Sequence, residues 1–148
     1  MTVGPRRRAR IVALQALFEA DNSNHKPMES LRRIIESQRT GKGPAAFASE
    51  LVQGVLTNQK DLDERIAKAA PAWPVDQLSA VDRNILRLAI SEMLGDNGTP
   101  VRAVINEAVE LAKTFGSEKS SSFVNGVLGS IAEELEKIAA EQPTAKRG

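Results

Sequence analysis

Four arginines, Arg6, Arg7, Arg8 and Arg10, fall within five positions near the start of a 148-residue chain. The residues that follow, Ile11, Leu14, Leu17 and Phe18, recur at three- and four-residue spacing, so the cluster occupies the first turns of a helix. Cations there face the positive end of the helix dipole at a cost of roughly 0.3 to 1 kcal/mol each, which makes poor sense for stability alone. Carried back along the helix, Arg7 and Arg10 fall near the apolar stripe, so either the arm overhangs the bundle or these two meet something anionic. Planar guanidinium forks suit phosphate oxygens and stack on bases, which makes a nucleic-acid backbone the natural anion. A solvated basic terminus is the alternative.

A second group lies in the turn 116–122, between Phe115 and Phe123. Ser117, Ser120 and free backbone N–H groups at a helix start can hold phosphate, and flanking aromatics can stack bases. Phe115 shares a stripe with Leu111 and Ala108 and is assigned to the core. Phe123 lies roughly 90° from the centre of the stripe formed by Val127, Ile131, Leu135 and Ile138, which leaves stacking surface and core edge both open. Asp82, Arg83 and Arg87 read from periodicity as an ordinary charged helix surface. Glu92 projects onto the middle of an apolar stripe, where an unpaired carboxylate is costly, so it sits at a frayed end, in a salt bridge or against a partner.

Other chemistries find little support. The chain has no Cys, which excludes thiolate metal sites, disulfides and cysteine nucleophiles. The single histidine, His25, lies in the polar stretch 21–27 and reads as a solvated loop residue. The acidic groups around Asp61 and Glu133 lack metal-loop spacing or a histidine partner and read as solvated helix faces. No metal, cofactor or catalytic set is expected.

The elements that must position these residues are helices. Aromatics make up 3% of the chain and Tyr is absent, a composition that favours helix over sheet. Stripes predict a first helix to about Asp21–Asn24 and a second from Pro27, closed by the 41–44 Gly/Pro breaker. A third helix carries Phe47, Leu51, Val55 and Leu56, and a fourth, or its bent continuation, carries Leu62, Ile66 and Ala69. Pro71 to Pro74 marks a joint. Beyond it, stripes from Leu78 to Ala89, from Val101 to Ala112 with Gly116 as a C′ glycine, and from Ser120 or Ser121 to Ile138 give the remaining helices. The expected fold is all-α, a compact bundle of about seven helices, with one domain over 1–142 and a disordered polar tail at 143–148. No apolar run approaches the roughly 18 residues that span a bilayer, so the protein is expected in the cytoplasm. Residues 1–74 carry 12 Lys and Arg against 8 Asp and Glu, and residues 75–148 carry 8 against 11, so an overall charge of +1 conceals a basic first half.

Arg6-Arg-Arg-Ala-Arg10 with Ala13-Leu-Gln-Ala-Leu-Phe18, Val81-Asp-Arg-Asn-Ile-Leu-Arg-Leu-Ala89, Ile105-Asn-Glu-Ala-Val-Glu-Leu-Ala-Lys113 and Phe123-Val-Asn-Gly-Val-Leu128 together resemble the bacterial transcription antitermination factor NusB family, in family order over almost the whole chain. The resemblance implies two three-helix sub-bundles, here about 5–72 and 73–142, and no enzyme activity. It implies binding of the single-stranded boxA element of ribosomal RNA operons together with NusE, the ribosomal small-subunit protein. That complex joins other Nus factors and RNA polymerase to suppress premature termination. Carried over by position, Arg6, Arg7, Arg8 and Arg10 match the RNA-binding arginines. Ser117, Lys119, Ser120 and Phe123 match a second part of the RNA surface, and Phe18, Asp82, Arg87 and Glu92 match the region facing NusE. Two positions depart from the pattern: Phe18 stands where Tyr is also common, and Lys119 where some relatives are acidic.

Three other readings remain. A DNA-binding helix-turn-helix domain lacks a helix with base-reading side chains on one exposed face. An accessory module of an RNA methyltransferase system would need its catalytic part elsewhere. A regulatory homodimer that masks the RNA surface is compatible with the leading reading.

Overall fold

The computed structural model describes residues 3–95 and 97–141. The tail expected at 143–148 lies outside the described residues. Six α-helices and one 3-10 turn follow in order: α1 Pro5–Asp21, α2 Pro27–Ser37, α3 Lys42–Ala69, the turn Val75–Gln77, α4 Ala80–Leu94, α5 Val101–Phe115 and α6 Ser120–Glu141. No strand occurs among the described residues. The α-helix count is thus six against an expectation of about seven, because the third and fourth stripes belong to one helix.

That helix, α3, has 28 residues and reaches about 42 Å at 1.5 Å per residue. Ala48, Leu51, Val52 and Val55 are buried in its first half and Leu62 and Ile66 in its second, with an exposed polar stretch between them. Val55 and Leu62 are seven positions apart, close to two turns, so the buried face stays in register across the gap. Gly43 and Pro44, expected to break the chain, lie in the first turn of α3, where a proline removes no intrahelical hydrogen bond.

Helices α1, α2 and α3 pack on one another, as do α4, α5 and α6; α1 and α3 both lie against α4, which joins the two sets. Val12, Leu31, Val52, Ile85, Ile90, Val124 and Leu128, drawn from both sets, are fully buried within one core cluster. Each such side chain contributes about 1.5 to 3 kcal/mol through burial. Phe115 departs from its core assignment. As the last residue of α5 it is 37% exposed, beyond the turn whose Leu111 and Ala112 reach the core. No helix among the described residues is long and apolar enough to cross a membrane.

Candidate nucleic-acid interface

The arginine arm forms the first turns of α1 because Pro5, at the helix start, has the φ a helix needs and no N–H to leave unsatisfied. Its side chains take three different routes. Arg10 is 7% exposed and forms a bidentate pair with Glu92 of α4, itself 6% exposed: Nε donates to Oε1 at 2.9 Å and Nη2 to Oε2. Asn97 Nδ2 donates to the same Glu92 Oε2 at 3.0 Å, the Thr99 N–H donates to Asn97 Oδ1 at 3.0 Å, and Arg6 Nη1 donates to Thr99 Oγ1 at 3.1 Å. A continuous hydrogen-bonded chain therefore ties both ends of the arm to the α4–α5 loop. Gly98 in that loop has φ +81°, a conformation that favours glycine. The Arg6 and Arg10 guanidinium carbons also lie 4.6 and 5.5 Å from the Phe47 ring centroid, within cation–π range.

Arg7 donates to Glu107 of α5 through Nε at 3.0 Å and Nη2 at 2.8 Å. Its hydrogen bonds hold the Glu107 carboxyl below the ordinary carboxylate range, and those bonds raise Arg7 in turn. Glu107 has the lower pKa when folded, so its contribution to stability is present above the unfolded-state value and is lost as pH falls through the folded one. In acid titrations of stability, Glu107→Gln is expected to remove part of the slope below the ordinary carboxylate range; an unchanged slope would show that the pair contributes nothing. Arg8 is half-buried; its backbone N–H donates to the Gly4 carbonyl at 2.9 Å, and its side chain has no hydrogen-bond partner among the described residues.

Both anions left open by the sequence are thus carboxylates of this chain, and Glu92 takes the salt-bridged option of its three. Arg87, expected at a partner surface, is 7% exposed: it is bidentate to Asp63 of α3 at 2.8 and 2.9 Å and lies 3.7 Å from Asp21 of α1. Arg10, Arg87 and Glu92 are therefore turned into the protein. Phe18 is 41% exposed, one turn before Asp21.

The second group assembles where α5 meets α6. Ser120 is buried and caps the turn: its Oγ accepts from the Ser117 N–H at 2.9 Å and lies 3.2 Å from Ser117 Oγ. Gly116 ends α5 as expected, but for a different reason. Its φ of −93° is open to any residue, whereas a Cβ there would come within 2.5 Å of Ser120. Ser117, Lys119 and Phe123 line a groove of about 450 Å³ together with Asp82 and Trp73. Phe123 is half-buried, packed against the core and edge-on to Trp73 with centroids 6.3 Å apart, which places it at the core edge. His25 is exposed in the loop, 3.0 Å from Ser23 Oγ.

Sequence patterns do not single out Glu107, Phe47, Asn97 and Thr99 at the arm or Trp73 in the groove, and Asp63, expected on a solvated helix face, is half-buried and paired with Arg87. Glu107 lies in the Ile105–Lys113 block, but nothing local shows that it faces an arginine 100 positions away.

Residues 7–133 match the model of the NusB family. The chain belongs to that family. The "Transcription antitermination protein NusB" of Dehalococcoides mccartyi (strain ATCC BAA-2266 / KCTC 15142 / 195) is 43% identical over 137 residues, covering 93% of this chain and 96% of the relative. Among solved structures, T. maritima NusB aligns with a TM-score of 0.83 at 35% identity, covering 90% of this chain and 94% of its own. A crystal structure of the antitermination factors NusB and NusE in complex with dsRNA contains a chain that aligns with a TM-score of 0.80 at 29% identity, covering 88% and 97%. The relatives are named as transcription antitermination proteins, not as enzymes, and the all-helical architecture is shared with these structures.

Proposed function

We propose that this protein binds single-stranded boxA RNA of ribosomal RNA operons together with NusE, and that it acts in the cytoplasm with other Nus factors and RNA polymerase to suppress premature termination. The observation that carries the reading is the arginine arm, with Arg6 and Arg7 exposed and Arg8 half-buried, fixed at the edge of a NusB-family fold; a solved family neighbour is recorded with both NusE and RNA. Arg6, Arg7 and Arg8 supply the phosphate contacts. Ser117, Lys119 and Phe123 extend the RNA surface, with Ser120 holding the turn in place. Phe18 is the exposed apolar contact for NusE, and Asp82, which opens on the groove beside Phe123, stands where the two surfaces meet. Arg10, Glu92 and Arg87 position the helices that carry these groups. Residues 1–142 act as one domain, and no cofactor takes part.

The test is a titration of labelled single-stranded boxA RNA, with and without NusE, against scrambled RNA, duplex RNA and duplex DNA at two salt concentrations. BoxA is expected to bind best, more tightly with NusE, and Lys119→Asp to weaken it by removing a phosphate-directed charge. Equal, weak binding to every nucleic acid even with NusE present would overturn the reading.

A further inference from the structure

Trp73 is the single tryptophan of a chain with no tyrosine and four phenylalanines, and it is 59% exposed. Its neighbours hold the backbone in place: Pro71 and Pro74 restrict the chain on either side, and the Trp73 N–H donates to the Ala70 carbonyl at 3.0 Å. The indole meets the Phe123 ring at 75°, an edge-on contact that orients it and leaves most of its surface in solvent. Phe123 is packed against the core at the same time, so Trp73 is the more exposed of the two aromatic rings that line the groove beside it. The groove beside it is in the size range of ligand clefts. Exposed Lys119 and Ser117 line it with a cation and a hydroxyl.

We infer that Trp73 is a nucleobase-stacking residue for single-stranded RNA, a deepening that rests on the RNA-binding reading above. One unstacked base lies against the indole and its phosphate faces Lys119. The chemistry favours RNA over an apolar protein segment: a lysine and a serine hydroxyl suit a phosphodiester, and an exposed indole face suits an unstacked base. The groove also continues the surface formed by Phe123 and the Ser117 turn.

Because Trp73 is the only tryptophan, its emission reports on this site alone. Full-length protein is titrated with single-stranded boxA RNA while tryptophan fluorescence is followed, and affinities of Trp73→Ala, Trp73→Phe and Arg6→Ala are measured with the same RNA. A series of RNAs with one base removed at each position in turn keeps the phosphates and deletes stacking. The expected result is a fluorescence change on binding, about tenfold weaker binding by Trp73→Ala, and affinity mostly retained by Trp73→Phe. One abasic position should weaken wild type to the same degree and have little further effect on Trp73→Ala. Thermal melts of the variants show whether the fold is intact. If wild type binds and Arg6→Ala weakens it while Trp73→Ala binds as wild type does, the stacking role is wrong and the RNA reading stands. Loss of NusE binding by Trp73→Ala with unchanged RNA affinity assigns the groove to protein and also overturns the inference. If wild type fails to bind boxA at all, both fall together.

Discussion

Glu92→Ala lowers the stability of the folded chain by about 3 to 5 kcal/mol, because it leaves the Arg10 guanidinium buried without its counter-charge and strips Asn97 of an acceptor. In a domain of this size that corresponds to a fall of roughly 10 to 15 °C in the thermal midpoint. The loss measures an uncompensated charge, not the net worth of the pair, since moving both ions out of water is itself expensive. Replacing both partners by apolar residues, Arg10→Met with Glu92→Leu, is therefore expected to recover most of the midpoint. Arg10 reaches RNA only by breaking its buried pair, so the double variant should also keep boxA affinity within about threefold of wild type, far from the change that loss of phosphate-directed arginines produces. A double variant as unstable as Glu92→Ala would refute the electrostatic account. One that is stable but loses RNA would return Arg10 to the binding surface.

What the sequence disclosed and what it withheld divide along sequence separation. The stripes of α1, α2, α4, α5 and α6 are local patterns, and the apolar spacing that creates them also buries them. Continuity of α3 was hidden because its exposed middle, Leu56 to Asp61, resembles a connection, although it contains neither Gly nor Pro. Helical projection placed Arg7, Arg10 and Glu92 near apolar faces and demanded an explanation for each. It could not pair Arg10 with a residue 82 positions on, because that contact depends on how α1 crosses α4. Phe115 shows the limit of the same method: a residue can lie on the correct stripe and still project past the end of the core. The groove was half legible, since Ser117, Lys119 and Phe123 are neighbours in sequence whereas Trp73 and Asp82 arrive from the α3–α4 connection and from α4.

Removing the arm's charge is the complementary experiment. With Arg10 occupied by Glu92, Arg6, Arg7, Arg8 and Lys119 make four phosphate-directed cations, which for single-stranded RNA gives a slope of about −3 in log K against log salt. The Arg6→Ala, Arg7→Ala, Arg8→Ala triple variant leaves Lys119 alone and a slope of about −0.7. If the two proteins converge near 1 M salt, where little charge-driven affinity survives, the slopes separate them by about 100-fold at 0.1 M. The exposed Arg6 and Arg7 carry peripheral contacts to Thr99, the Phe47 ring and Glu107, and the Arg8 side chain has no hydrogen-bond partner among the described residues, so the helical fold should persist by circular dichroism. Arg7 must leave Glu107 to engage a phosphate, so Glu107→Gln in the wild-type background should tighten binding while the triple variant weakens it. Parallel salt plots for wild type and triple variant would show that the arginines add no phosphate contacts, leaving the basic end of α1 as a solvated terminus.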